Sequence, residues 1–417
     1  MIWIALACTP TNIQLGSENA DSESVDSAAG TLVGDSANEL LPGDTAADTG
    51  DPPPVDDPDL FAPDTIWELT LELDDDAYSE LSRDGHDFVD ATLGWDGRTW
   101  PVATHIKGSS SWQDISDKPS LVIDVNRLDP KQEFMGVKKF YLHNDCYDPS
   151  QMSETLSYRF YREAGYPASE TSFAHLTLNG RDYGLYTVVE AHNDDFLEKW
   201  FGDPNGNLYE NRDAYCDVTD LGCMEVEESD EGNDEAFIAL GQAARTRAVD
   251  WRAAVEPLLN WDRFIAYLGL EIAVVHWDSY SYDLSNYSLY HDPTADEWTF
   301  FTQSMDLDYG FRPWSYPSCG QYGMTIDKYD MGMLAASCHA DASCKAELVA
   351  RVLEYADFLE AADGAARVAE LEALIGGEVR ADSRRYYSDA EYADHVACLK
   401  TFFEGRPAQL REWAAGE

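Results

Sequence analysis

His276-Trp-Asp-Ser-Tyr-Ser-Tyr-Asp-Leu-Ser-Asn-Tyr-Ser-Leu-Tyr290, a polar turn, and then Trp298-Thr-Phe-Phe-Thr-Gln-Ser-Met-Asp-Leu-Asp-Tyr-Gly-Phe311 form the stretch on which the fold of this chain turns. An acid, Asp278, precedes an amide, Asn286. Two runs of strand character follow, Tyr287 to Tyr290 and Trp298 to Thr302, and then Asp306-Leu307-Asp308. A hairpin between the runs returns the second acidic pair beside Asp278 and Asn286. Asp278, Asn286, Asp306 and Asp308 then face one pocket with hard oxygen donors, a set suited to Mg²⁺ or Mn²⁺ carrying a nucleotide's phosphates. A D-x-D before a glycine is, taken alone, also a common turn. The order Asp, Asn, strand, strand, D-x-D is what carries the metal reading.

Protein kinases use the same order: an Asp, an Asn, a hairpin, and a metal-binding Asp ahead of a Gly. Two further stretches, earlier in the chain, extend the parallel. Lys107-Gly108-Ser109-Ser110-Ser111-Trp112 is a small, hydroxyl-rich loop between strands. Its backbone N–H groups suit a phosphate, and Lys107 offsets phosphate charge. Read alone it is a Gly/Ser turn, and the G-x-x-x-x-G-K pattern is absent. Lys118 leads into a strand, Ser120 to Val125, where a kinase-like fold keeps its phosphate-pairing lysine. Glu154 lies in the first turn of a helix over Met152 to Ala164 and is the expected partner of Lys118. The helix macrodipole by itself also favours an acid there.

Around these stretches the element signals are local. Trp67 to Leu73 alternates as a strand, and Asp74-Asp75-Asp76 caps a short helix. Asp90 to Leu93 and Thr99 to Ile106 make a strand pair joined at Asp96-Gly97. Phe140 to Leu142 reads as a strand, and Asp148-Pro149-Ser150 opens the helix of Glu154. Phe173 to Leu178, Asn179-Gly180 and Tyr183 to Glu190 form the clearest hairpin, closing on Glu190. Residues 203 to 235, rich in Gly, Asn and acids, read as a loop or insertion. Helices are expected over Val249 to Leu259, Trp261 to Val275, Lys345 to Leu359, Gly364 to Ile375 and Tyr392 to Phe403, with Pro407 to Trp413 ending the chain. Arg312 to Met333 is irregular, an activation-segment-like or substrate-facing loop. No internal repeat and no apolar run long enough for a transmembrane helix is present.

The charge is lopsided: 79 Asp+Glu against 28 Lys+Arg, net −51. Such a surface repels nucleic acid and anionic lipid, so neither is an expected partner. At the N-terminus, Ala5-Leu6-Ala7-Cys8 resembles a bacterial lipoprotein signal box, without the usual basic residues before it. A Ser/Asp/Pro-rich stretch over 9–62 follows, with no Lys or Arg before Arg83, and reads as a solvated tether that holds a domain off a membrane. After Cys8 an odd number of cysteines remains. Cys216/Cys223 and Cys338/Cys344 are close pairs suited to clipping loops, and at least one thiol is left over or pairs between chains.

The body resembles the CotH family, kinase-like proteins of the spore coat protein H type. Four blocks carry the resemblance: His105-Ile106-Lys107-Gly108-Ser109-Ser110-Ser111 with Lys118; Asn179-Gly180 through Gly184-Leu185-Tyr186 to Glu190; Asn286-Tyr287 with Leu289-Tyr290; and Trp298 through Asp306-Leu307-Asp308 to Gly310-Phe311. The resemblance implies an α+β, atypical protein-kinase-like fold over 63–417, with a β-rich lobe at 63–195 and a mainly helical lobe at 196–417. It also implies ATP and Mg²⁺ or Mn²⁺ as cofactors. Asp278 is then base or metal ligand and Lys118 a catalytic lysine. Asp306, Asp308 and Asn286 complete the metal set. Lys107, Gly108, Ser109, Ser110, Glu154 and Glu190 line the nucleotide. This chain departs from the family in having Lys107 where Arg is usual, and Ser304-Met305 where Pro-Trp is usual.

The function so implied, taken with the Cys8 box, is a secreted or surface-anchored phosphotransferase acting on Ser or Thr of an extracellular or envelope protein. A non-catalytic surface adhesin and a kinase-like fold that transfers AMP are the alternatives.

Overall fold

The computed structural model describes residues 58–108, 111–211, 215–229, 234–246, 250–303 and 328–417. Alternation organises the first half. In β1 (Ile66–Glu72) every second residue is buried and its neighbours face water, the pattern of a strand with one wet face. Asp74 caps α1 (Asp75–Arg83) by accepting from the Ala77 N–H at 2.8 Å. β2 (Val89–Trp95) and β3 (Arg98–Lys107) then form a hairpin. Asp96 and Gly97 both take positive φ in its two-residue turn, the conformation that matches strand twist.

β4 (Ser120–Asp124) and β5 (Lys139–His143) continue the sheet. α2 (Ser153–Glu163) then crosses to the hairpin of β6 (Thr171–Leu178) and β7 (Arg181–Glu190). The strands close into a barrel in the order β1-β2-β3-β4-β5-β7-β6, with β1 and β6 parallel. The barrel encloses its own core of Leu, Ile, Val and Phe side chains. Leu60 and Phe61 are buried in that core, and the Leu60 carbonyl accepts from Trp67 Nε1 and Ser172 Oγ. The packed body therefore includes the last residues assigned to the tether. Cys8 and the tether up to residue 57 lie outside the described residues.

Beyond α3 (Asp194–Phe201) the expected loop at 203–235 holds two strands, β8 (Asn207–Asn211) and β9 (Met224–Ser229). β8 offers only Leu208 and Tyr209 as buried apolar residues, too short a run for its period to show in the sequence. After α4 (Glu235–Ala244) and α5 (Trp251–Val255), α6 (Trp261–Val274) is buried almost all round and delivers the chain to α7 (Tyr280–Asp283). The hairpin of β10 (Tyr287–Asp292) and β11 (Glu297–Thr302) completes a 4-stranded sheet in the order β11-β10-β8-β9. The C-terminal half is thus less purely helical than expected.

α8 (Met333–Ala340), α9 (Ala342–Ala362), α10 (Gly364–Ala381) and α11 (Asp389–Gly416) finish the body. α11 runs through Pro407, where the sequence suggests a break. Pro407 is buried among neighbouring helices, and that packing outweighs one missing backbone hydrogen bond. α2 precedes β6 in the chain, yet it packs with the C-terminal helices: Phe160 meets Phe358 and Phe403. Cys216–Cys223 and Cys338–Cys344 are disulfides, Cys398 is also disulfide-bonded, and Cys146 is buried and in no disulfide.

Candidate functional site

The two runs of strand character pair as a hairpin. Thr302 pairs with Tyr287, and the next residue, Gln303, donates its N–H to the Asn286 carbonyl at 2.9 Å. The chain leaves the described residues there, so Asp306 and Asp308 lie outside them, as do Ser109 and Ser110. Asn286 and Asp278 meet: the amide Nδ2 donates to Asp278 Oδ2 at 2.8 Å and to the Asp278 carbonyl at 2.9 Å. Both residues are half-buried. The segment from the end of α6 to Asn286 is wound tightly. Val275, Leu284 and Asn286 all take positive φ, an uncommon conformation for residues other than glycine and a costly one for the β-branched Val275.

Gln303 is a hub. Its side chain donates to Glu210 on β8 at 2.8 Å, and its carbonyl accepts from the Tyr158 hydroxyl on α2 at 3.4 Å. Glu210 also accepts from Ser288 Oγ and faces His192. Burial pushes the Glu210 carboxyl up, but the His192 hydrogen bond and charge, the Ser288 hydroxyl and the nearby Lys107 charge outweigh it, and the group sits below its ordinary range. Lys107, at the end of β3, lies 4.8 Å from the centre of the Tyr141 ring. Burial and then the Glu210 charge raise the Tyr141 hydroxyl. Gly108 follows at φ +110°, where an added Cβ would stand 2.5 Å from Ser111 Oγ. Lys107, Gly108, Glu210, Gln303, Asn286 and Asp278 thus line one seam between the barrel and the second sheet.

Lys118 and Glu154 do not form the expected pair; each takes another partner. Lys118 Nζ meets Asp382 Oδ2 at 2.6 Å, both side chains 1% exposed, and lies over the Tyr186 ring. Glu154 binds His143 Nδ1 at 2.9 Å through both carboxylate oxygens. Asp145 is buried beside them and accepts from Thr187 Oγ1 at 2.8 Å. Burial, then the charges of Glu154 and Asp148, hold the Asp145 carboxyl well above the usual carboxylate range. Asp148 caps α2 by accepting from the Met152 and Ser153 N–H groups and pairs with His395 of α11. Glu190 ties the Glu170 N–H at 2.9 Å and Lys199 of α3, a local clasp at the foot of the barrel.

Sequence reasoning missed Glu210, Asp382 and Asp145. Asp382 is 264 residues from Lys118, and neither Asp382 nor Glu210 stands in a motif, so only the packed structure reveals them. Glu210 falls in a stretch read as a loop.

A barrel and a helix-backed sheet meeting at a polar seam of Lys, Glu, Asn and Asp define an α+β protein. The chain belongs to the CotH kinase protein family, whose model matches residues 104–410. It is therefore a kinase-like protein by family. Among its relatives, Invasin CotH2 of Rhizopus delemar is 23% identical over 181 residues, covering 39% of this chain and 30% of that protein. Inner spore coat protein H of Bacillus subtilis is 27% identical over 112 residues, covering 25% of this chain and 31% of that protein. The chain thus spans about a third of the length of these relatives. The solved structure of the Helicobacter pylori proinflammatory kinase CtkA is 13% identical, with a TM-score of 0.27 over 68% of this chain and 93% of that chain, a likeness too slight to define the fold.

Proposed function

We propose that this protein transfers the terminal phosphate of ATP to a Ser or Thr hydroxyl of an extracellular or envelope protein. The observation that carries the reading is the Asp278–Asn286 pair held against the returning end of the β10–β11 hairpin, with Gln303 bonded to Asn286. Asp306 follows Gln303 by a stretch that spans at most on the order of 10 Å when extended. A carboxylate and an amide side by side fit the donor chemistry of Mg²⁺ or Mn²⁺. Among the described residues no group of three or more His, Cys, Asp or Glu forms a metal cage, so Asp306 and Asp308 complete the set in this reading. The ion, when bound, offsets the charge on the β- and γ-phosphates.

Asp278 is metal ligand or base: in the first role it holds the ion, and in the second it orients the acceptor hydroxyl and takes up its proton at a carboxylate oxygen. Asn286 holds Asp278 in place. Lys107 supplies positive charge at the mouth of the seam, and Gly108 lets the backbone approach a phosphate. Lys118 is sealed by Asp382, so a phosphate meets Lys118 only by taking that carboxylate's place. The disulfides support an oxidising compartment. The relatives' printed names, spore coat and invasin, support a place at a surface; a lipid on Cys8 is the anchor proposed from the sequence. No helix among the described residues is long and apolar enough to cross a membrane.

The name of the Rhizopus relative, an invasin, supports a second reading in which the surface binds a partner and no group is transferred. Incubating the full chain with γ-labelled or α-labelled ATP, Mn²⁺ or Mg²⁺ and a hydroxyl-rich protein acceptor separates the readings. Phosphotransfer moves the γ label and loses it in Asp306→Ala. Movement of the α label means AMP transfer. No label moved, with the fold intact, favours the invasin-like reading.

A further inference from the structure

The loop that carries Asp278 and Asn286 is strained, and something must hold it. Its deepest tie is Glu271, on α6. This side chain is fully buried, and its Oε2 accepts from both the backbone N–H and the hydroxyl of Ser281 in α7, the N–H at 3.3 Å. The hydroxyls of Tyr267 and Ser279 face the same carboxylate. The Glu271 carbonyl also accepts from the His276 N–H at 2.9 Å, where the loop begins. Ser281 in turn passes the tie on, since its carbonyl accepts from the Met331 N–H at 2.8 Å. Arg406 of α11 binds the Ile272 and Ala273 carbonyls and so fixes the end of α6 just beyond Glu271.

Apolar side chains fill most of α6, and an apolar residue at 271 would pack there without the cost of burying an acid. Burial pushes the Glu271 carboxyl up to about 7, against the Ser281 hydrogen bonds and the nearby Tyr267 and Ser279 hydroxyls that pull it down. A buried acceptor kept at such a cost, aimed at one loop, points to a task in that loop.

We propose that Glu271 is a positioning residue for the transfer reaction, holding Ser281 so that the strained loop presents Asp278 and Asn286 at the seam. The proposal rests on the phosphotransfer reading above. Two variants of similar shape test it in the full chain. Glu271→Gln keeps a neutral acceptor for Ser281; Glu271→Met keeps the length and removes the acceptor. The readouts are amide hydrogen exchange over residues 276–286 and single-turnover transfer from ATP.

Glu271→Gln keeps wild-type exchange over 276–286 and transfers within about threefold of wild type. Glu271→Met stays folded, exchanges about tenfold faster or more over 276–286 alone, and loses transfer about tenfold or more in kcat at nearly unchanged KM for ATP. Unchanged exchange over 276–286 in Glu271→Met overturns the proposal, as does faster exchange spread evenly over the whole chain. If the wild type transfers nothing while Glu271→Met still loosens 276–286 selectively, the phosphotransfer reading falls and the loop anchor stands.

Discussion

At Lys118 the structure replaces one ion pair with another. The lysine is buried against Asp382, and removing either charge strands the other in the interior. Lys118→Met should therefore cost roughly 3–5 kcal/mol in urea unfolding, and Lys118→Met combined with Asp382→Leu should recover most of that loss. An equal loss in the single and the double variant would contradict the pairing. Glu271 gives the opposite sign. Its carboxyl is raised from 4.5 to about 7, so the folded state binds this proton more tightly than the unfolded chain does. Stability from this group is full below 4.5, falls as pH rises toward about 7, and is lost above it. Glu271→Gln should match wild-type stability at low pH and exceed it above neutrality, by up to about 3 kcal/mol. Melting curves across pH check this, and a variant less stable than wild type at pH 8 would refute it. The local roles were legible in the sequence: Asp74 as a cap, Asp148 opening α2, Asn179-Gly180 as a turn. The roles of Asp382, Glu210 and Glu271 depend on residues brought from far along the chain, and no spacing encodes them.

Among elements, β7 shows how a motif read as one thing serves two. Gly184 lies in a block quoted for its family resemblance, and the structure gives it φ +77° opposite a register shift between Leu176 and Thr177. The bulge bends the strand and leaves room for Asp382: a Cβ on Gly184 would stand 2.1 Å from the Asp382 carboxyl carbon. Gly184→Ala should lose roughly 2 kcal/mol or more, with the Lys118–Asp382 docking disturbed. Urea unfolding measures it, and a neutral result would mean that the α10–α11 linker does not press on the barrel. The β10–β11 hairpin was legible because apolar runs and a polar turn repeat the strand period. β8 and β9 were not, because their apolar residues are too few for the strand period to show. The extension of α11 through Pro407 was illegible for another reason: the helix is held by burial against other helices, which outweighs propensity.

The whole molecule places two cores side by side, the barrel's own and a larger one shared by α2, the second sheet and the C-terminal helices. The sequence shows a β-rich half followed by a helix-rich half. It does not show that α2 belongs to the second core, since a helical stripe does not name its partner. A net charge of −51 repels polyanions and draws cations to the surface. The phosphotransfer reading brings Asp278, Asp306 and Asp308 to one site; three such carboxylates repel until a cation sits among them, so on that reading metal and nucleotide should bind cooperatively. The most direct measurement is calorimetric titration of ATP into the full chain with and without Mn²⁺, for wild type and Asp278→Ala. In the wild type Mn²⁺ should tighten ATP binding about tenfold or more, and Asp278→Ala should abolish that coupling while keeping its fold. Wild-type protein that binds no ATP, or binds it equally with and without the metal, would contradict the account.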